Sequence, residues 1–189
     1  MRDTALFIDG SNIYATGKAL NLDIDYAKLK LWFGDNLLRA NYYTAVMPRK
    51  DGLVDNLRPL IDWLSYNGYC VVTKDTKEFV DKTTGRTKLK GNMDTEITVD
   101  ALELAPRIKH AVLFSGDGDF TYLVKALQRQ GVRVTAISTI ETEFPMIADE
   151  LRRAVDEFID LKVFIGLINN YQVVAKEAVV PNRGGSRYV

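Results

Sequence analysis

Leu113-Phe114-Ser115-Gly116-Asp117-Gly118-Asp119-Phe120 is the stretch on which the fold turns. An apolar run ends abruptly in small residues and two carboxylates, which is how a buried parallel strand delivers acids to one edge of a sheet. A similar arrangement, with one carboxylate, occurs in Ala5-Leu6-Phe7-Ile8-Asp9-Gly10-Ser11-Asn12, and Asp94 lies between the two motifs. Carboxylates gathered at one edge repel one another and raise each other's pKa. A site built from several of them therefore usually holds a hard divalent cation.

Outward from these motifs, short apolar runs alternate with longer amphipathic stretches, the pattern of an α/β domain with a mainly parallel sheet. Strands are expected at 5–8, 42–47, 69–73, 111–115 and 132–138. Asp25 is placed to cap a helix reaching Leu38, and a second helix is expected over 53–67, ended by Gly68. Further helices are expected at 95–104 and 120–130, the latter stopped by Gly131. Met146, Ile147, Leu151, Val155, Phe158 and Ile159 recur at helical spacing, so 144–164 reads as one or two closing helices.

The chain has 189 residues and 47% apolar composition, enough for one domain with a sizeable core, expected over 1–170. Residues 171–189 read as a flexible tail. Lys plus Arg and Asp plus Glu both number 25, so no global positive field points to nucleic acid, and a polyanion must be met by a local patch. The single cysteine, Cys70, excludes an intrachain disulfide and reads as a buried inert thiol. No stretch of about 18 apolar residues is present, so a cytoplasmic protein without membrane association is expected.

Residues 74–92 carry six cations (Lys74, Lys77, Lys82, Arg86, Lys88, Lys90) against three acids. Their centre, Asp81-Lys82-Thr83-Thr84-Gly85-Arg86, has hairpin-turn chemistry. This reads as a basic arm, with a solvated hairpin lacking any partner an equal alternative.

For Asp9 a functional role outweighs a capping role, because an unpaired carboxylate ending a central strand is costly unless a cation compensates it. Ser11 and Asn12 serve equally well as turn and cap residues. A helix cap explains either Asp117 or Asp119, not both. Ser115 beside the same turn supplies a hydroxyl for a water or a phosphate oxygen. On a helix starting near Asp94, Ile97 and Ala101 follow the same face into the core, Asp100 is angularly displaced, and Glu96 points away. Lys90 precedes these acids, where an ammonium balances their charge or meets a phosphate. Together Asp9, Asp94, Asp117 and Asp119 would hold one or two Mg²⁺ or Mn²⁺ ions and promote phosphodiester displacement. The only histidine, His110, precedes a strand away from this edge, which disfavours histidine-based catalysis.

Phe7-Ile8-Asp9-Gly10-Ser11-Asn12, Lys90-Gly91 followed by Asp94 and Asp100, and Ser115-Gly116-Asp117-Gly118-Asp119-Phe120 together resemble the NYN domain, in its LabA-like branch, within the PIN-like nuclease superfamily. The resemblance covers residues 3–164. It implies a three-layer α/β/α Rossmann-like fold, a parallel sheet in order 3-2-1-4-5, and an acidic Mg²⁺ or Mn²⁺ site that cuts RNA. It further implies that Asp9, Asp94 and Asp117 are metal ligands and catalytic acids. Asp119 becomes a further ligand or water-orienting acid, and Asn12 positions the metal or the scissile phosphate. In one respect the chain departs from the pattern: Asn92 and Met93 follow the Lys-Gly pair, so Asp94 arrives one residue late. With a different loop register, Glu96 would be the acid presented.

The leading expectation is a metal-dependent ribonuclease, with RNA bound through Asn12, Ser11, Ser115, Lys90, Lys88 and Arg86, and Tyr14, Phe79 and Tyr122 available to stack bases. The alternative is a catalytically weak or inactive module of the same fold that binds RNA or a protein partner. A small-molecule phosphatase working through an aspartyl-phosphate fits less well, because Ser11 stands where it would need a second aspartate. The apolar stretch Leu161, Val163, Phe164, Ile165, Leu167 and Ile168 is expected to close the core, as terminal helices commonly dock, with a homo-oligomer contact the alternative.

Overall fold

The computed structural model describes residues 2–46, 56–80 and 87–178, and for 77–80, 87–90 and 172–178 the course of the backbone alone. In chain order the elements are β1 (Thr4–Asp9), α1 (Gly10–Leu20), α2 (Tyr26–Phe33), β2 (Leu37–Val46), α3 (Arg58–Tyr66) and β3 (Cys70–Asp75). A hairpin of β4 (Lys77–Val80) and β5 (Thr87–Lys90) follows, then α4 (Asp94–Leu104), β6 (His110–Phe114), α5 (Thr121–Arg129) and β7 (Arg133–Ser138). The described chain closes with α6 (Asp149–Ala154), β8 (Glu157–Asp160) and α7 (Leu161–Ala178).

Six strands form one parallel sheet in the order β3-β2-β1-β6-β7-β8, and β4 and β5 pair antiparallel beside it. Numbered within the main sheet this is 3-2-1-4-5-6, the expected order extended by one strand. Every residue of β1 is buried, as a central strand covered on both faces must be. Ala5 and Phe7 face one core with Ile97, Val124, Leu127 and Leu151 of α4, α5 and α6. Leu6 and Ile8 face the other, with Ile13, Leu29, Phe164 and Ile168 of α1, α2 and α7. Each fully buried Leu or Phe side chain in these layers contributes about 1.5–3 kcal/mol.

The chain leaves β1 into α1 on one face and leaves the neighbouring β6 toward α5 on the other. Between the C-terminal ends of β1 and β6 this divergence opens a crevice, the topological switch point where α/β sheets present their ligand sites. The two opening motifs end there.

Three sequence expectations are revised. Residues 144–164 are not continuous helix: an irregular segment leads to the short α6, then to the edge strand β8, then to α7. Ile147 and Leu151 do pack in the core at helical spacing. Phe158 and Ile159, however, are drawn into the sheet beside β7, where the Asp156 carboxylate accepts the backbone N–H of Val134 at 2.7 Å. A short apolar pair has no periodicity that separates an edge strand from a helix. The helix capped by Asp25, whose carboxylate accepts the Lys28 N–H at 3.0 Å, ends at Phe33, and Leu37 and Leu38 begin β2. Cys70 is exposed on the edge strand β3, not buried.

Gly131 ends α5 as expected, its φ of 79° being the left-handed conformation that glycine adopts without cost. Leu161, Phe164, Ile165 and Ile168 are buried in the second core, while Val163 and Leu167 remain exposed. Residues 179–189, within the expected tail, lie outside the described residues. No described helix is long and apolar enough to cross a membrane.

Candidate metal centre

Asp9 is the last residue of β1 and is 6% exposed. Its Oδ1 accepts the Ser11 hydroxyl at 2.8 Å and the Asn12 N–H at 3.2 Å, which caps α1. Its Oδ2 accepts the Ser115 hydroxyl at 3.2 Å. Ser115, fully buried at the end of β6, in turn accepts the Asp117 N–H at 3.2 Å. The Asn12 side-chain oxygen accepts the Gly116 N–H at 3.1 Å. Two turns more than a hundred residues apart are thus joined by side chains that the motifs supply.

The Asp117 side chain accepts the Asp119 N–H at 3.0 Å and caps the 3-10 turn Gly118–Phe120. Capping therefore accounts for one acid, as anticipated, and leaves Asp119 exposed at the mouth of the crevice. Gly116 is required by close approach. A Cβ there would overlap the Met146 carbonyl oxygen, and the Ala148 N–H binds the Gly116 carbonyl at 2.9 Å. The segment between β7 and α6 is held in place by the Ser138 hydroxyl on the Met146 carbonyl at 3.0 Å, and so buttresses the acidic turn from behind.

Asp94 begins α4. Asn92 grips it twice: Nδ2 donates to Asp94 Oδ2 at 2.6 Å, and Oδ1 accepts the Asp94 N–H at 2.7 Å. The buried Met93 anchors the same turn. The two residues that interrupt the familiar spacing therefore make a local turn that still aims Asp94 at the crevice. Asn92 is the residue that sequence reasoning missed, although an Asn two residues ahead of a helix start is a recognisable turn signal. Glu96 faces elsewhere, paired with Lys74 at 2.7 Å, which pulls its carboxyl below the ordinary range. Lys74 also donates to the Asn92 carbonyl at 3.3 Å, so it braces this loop and is not a free member of a basic arm. Asp100 accepts the hydroxyl of buried Tyr43 at 2.9 Å and locks α4 to β2.

One carboxylate oxygen from each of Asp94, Asp117 and Asp119 lies within 4.8 Å of the others. Three of the four expected acids thus converge; Asp9 is not among them, both its oxygens accept hydrogen bonds, and its charge acts on Asp94. Burial chiefly, then the charges of Asp117, Asp9 and Asp119, raise the Asp94 pKa, while the Asn92 hydrogen bond opposes the rise. Mutually repelling, half-exposed hard oxygens are the donor set that suits Mg²⁺ or Mn²⁺. His110 opens β6 at the opposite edge, on Thr135 at 2.8 Å. Lys88 and Lys90 lie in β5, whose backbone alone is described, and Arg86 lies outside the described residues.

The NYN domain profile matches residues 3–162, and the chain belongs to the NYN domain family. It is 35% identical over 162 residues to the Low amplitude and bright protein LabA of Synechococcus elongatus, which covers 83% of this chain and 82% of that protein. Among solved structures it is similar to a protein of unknown function from Vibrio parahaemolyticus, with 25% identity and a TM-score of 0.64 over 85% of this chain and 93% of that one. The α/β fold, the sheet order and the acidic trio agree with this membership.

Proposed function

We propose that the protein is a metal-dependent ribonuclease that hydrolyses RNA phosphodiesters at the crevice between β1 and β6. The observation that carries this reading is the convergence of Asp94, Asp117 and Asp119 within 4.8 Å, with the charge of Asp9 acting on Asp94. Asp94, Asp117 and Asp119 would hold Mg²⁺ or Mn²⁺, and Asp9 would serve as a ligand after releasing a hydroxyl or as the anion that fixes the shell. When bound, such an ion activates water and neutralises charge on the phosphoryl oxygens.

The remaining residues orient the substrate. Asn12 spends its oxygen on Gly116 and keeps its amide N–H groups for a phosphate oxygen. Ser11 and Ser115 hold the Asp9 carboxylate in one rotamer, and Lys90, Lys88 and Arg86 would supply cations for the backbone. A second reading, a weakly active module that binds RNA or a partner, is favoured by the engagement of both Asp9 oxygens in hydrogen bonds.

Cleavage of labelled RNA with Mn²⁺ or Mg²⁺, compared with Asp9→Asn and Asp117→Asn, decides between the two. A loss of at least a hundredfold in Asp117→Asn is expected, on the order seen when a key charge-stabilising group is removed. Equal cleavage by all three proteins would refute the ribonuclease reading, and metal-dependent binding without cleavage would support the second.

A further inference from the structure

The backbone at Phe120 and Thr121 is right-handed helical, so the 3-10 turn that carries Asp119 runs into α5 without a break. From Asp119 the positions Tyr122, Lys125 and Arg129 follow at intervals of three, three and four, which places them on one helix face. All are exposed, Tyr122 to 74%. The Arg129 guanidinium lies over the Tyr122 ring, 5.5 Å from its centroid, so both side chains share this outward face.

The charge on that face is unbalanced. The α5 sequence, Thr121-Tyr122-Leu123-Val124-Lys125-Ala126-Leu127-Gln128-Arg129, contains no acid. Neither Lys125 nor Arg129 forms an ion pair with any described residue. The adjacent α4 carries Asp94, Glu96, Asp100 and Glu103 and no Lys or Arg, Glu96 being paired with Lys74, whereas α6, also against α5, balances Asp149 and Glu150 with Arg152 and Arg153. A polyanion at the crevice is thus repelled along α4 and attracted along α5.

We infer that the outer face of α5 is a docking strip for single-stranded RNA flanking the crevice, with Tyr122 a stacking platform for one base and Lys125 and Arg129 contacts for phosphates. The strip extends about 15 Å from Asp119 to Arg129 at the rise of an α-helix. The RNA must be unpaired here, because a duplex keeps its base faces stacked and out of reach of an aromatic ring. This deepens the ribonuclease reading and rests on it for the identity of the ligand.

The test is fluorescence anisotropy of a labelled oligouridylate titrated with the full chain across a salt series, in the Asp117→Asn background. Lys125→Gln with Arg129→Gln is expected to weaken binding about tenfold and to reduce the slope of log K against log[salt] by about 1.4, two phosphate contacts at ~0.7 each on single strands. Tyr122→Ala is expected to weaken binding by a similar factor with the slope unchanged. The charge-matched pair Arg107→Gln with Lys109→Gln, ahead of β6 at the opposite sheet edge, is expected to keep the parent affinity.

Equal affinity and slope in parent and strip variants would overturn the strip and leave the ribonuclease reading standing. An equal loss in the Arg107/Lys109 pair would also overturn it, by showing a general charge effect. No binding by the parent would overturn the strip, while wild-type cleavage in Mn²⁺ decides the ribonuclease reading separately. Strip-dependent binding with no cleavage by the wild type in Mn²⁺ would uphold the strip and refute only the ribonuclease reading.

Discussion

The Ser115 hydroxyl donates to Asp9 Oδ2 at 3.2 Å and so joins the ends of β6 and β1, 106 residues apart in sequence. The Ser115 Oγ itself accepts the Asp117 N–H. One small side chain therefore satisfies a buried carboxylate and sets the path of the acidic turn.

Removing that hydroxyl leaves a buried charge short of a donor. Ser115→Ala is expected to lower unfolding stability by about 1.5–3 kcal/mol, the range for hydrogen bonds to charged groups. Urea denaturation monitored by tryptophan fluorescence measures it, and a shift within error would show that Asp9 finds another donor.

Gly116 has no room for a side chain, because the Met146 carbonyl occupies the space a Cβ would take. Gly116→Ala should cost about 1–3 kcal/mol through displacement of the segment before α6. Any cleavage activity should fall more than stability does, since the displaced turn carries Asp117. Comparing the urea midpoint with the cleavage rate separates the two effects.

Burial and the neighbouring acids hold the Asp94 pKa up, so Asp94 is expected to destabilise the metal-free protein at neutral pH. Its folded pKa is raised above the unfolded value of about 3.9. The stability it contributes is therefore fully present below that unfolded value and is lost as pH rises through the folded value. Asp94→Asn should raise the thermal midpoint of the metal-free protein at pH 7, with the gain vanishing as pH falls to about 4. The variant should lose metal affinity at the same time. Thermal scans across pH with chelator present test the sign, and a lowered midpoint at pH 7 would contradict it.

Mn²⁺ should raise the thermal midpoint of the wild type saturably, because an ion that binds only the folded state stabilises it by about 2.7 kcal/mol at a hundred times its dissociation constant. Asp94→Asn combined with Asp117→Asn should abolish the shift. An undiminished shift in the double variant would place the ion elsewhere.

Much of this arrangement was legible in the residues. The buried runs 5–8 and 111–115 identified the central strands, and the carboxylates ending them marked the crevice, because a strand covered on both faces leaves polar side chains only at its ends. The helix stop at Gly131 and the cap at Asp25 followed from local chemistry. Edge strand β8 was not legible: Phe158 and Ile159 acquire strand character only from the tertiary pairing with β7. The outward placement of Cys70 depends likewise on β3 being an edge. At the site, the motifs named the acids but not their ranking. That Asp9 gives its oxygens to Ser11, Asn12 and Ser115, and is not one of the converging three, is something no spacing rule encodes.

The union of Asn12 with Gly116 across a sequence separation of 104 residues gives the site a temporal property. Synthesis delivers Asp9 first and Asp119 much later, and α4 with Asp94 arrives between them. During elongation the early acids face water with no neighbours to repel and no cation to share. The trio, drawn from the start of α4 and the turn after β6, can exist only once those two segments have been brought together. Any affinity for metal would thus report that α4 and the turn after β6 have come together on the sheet.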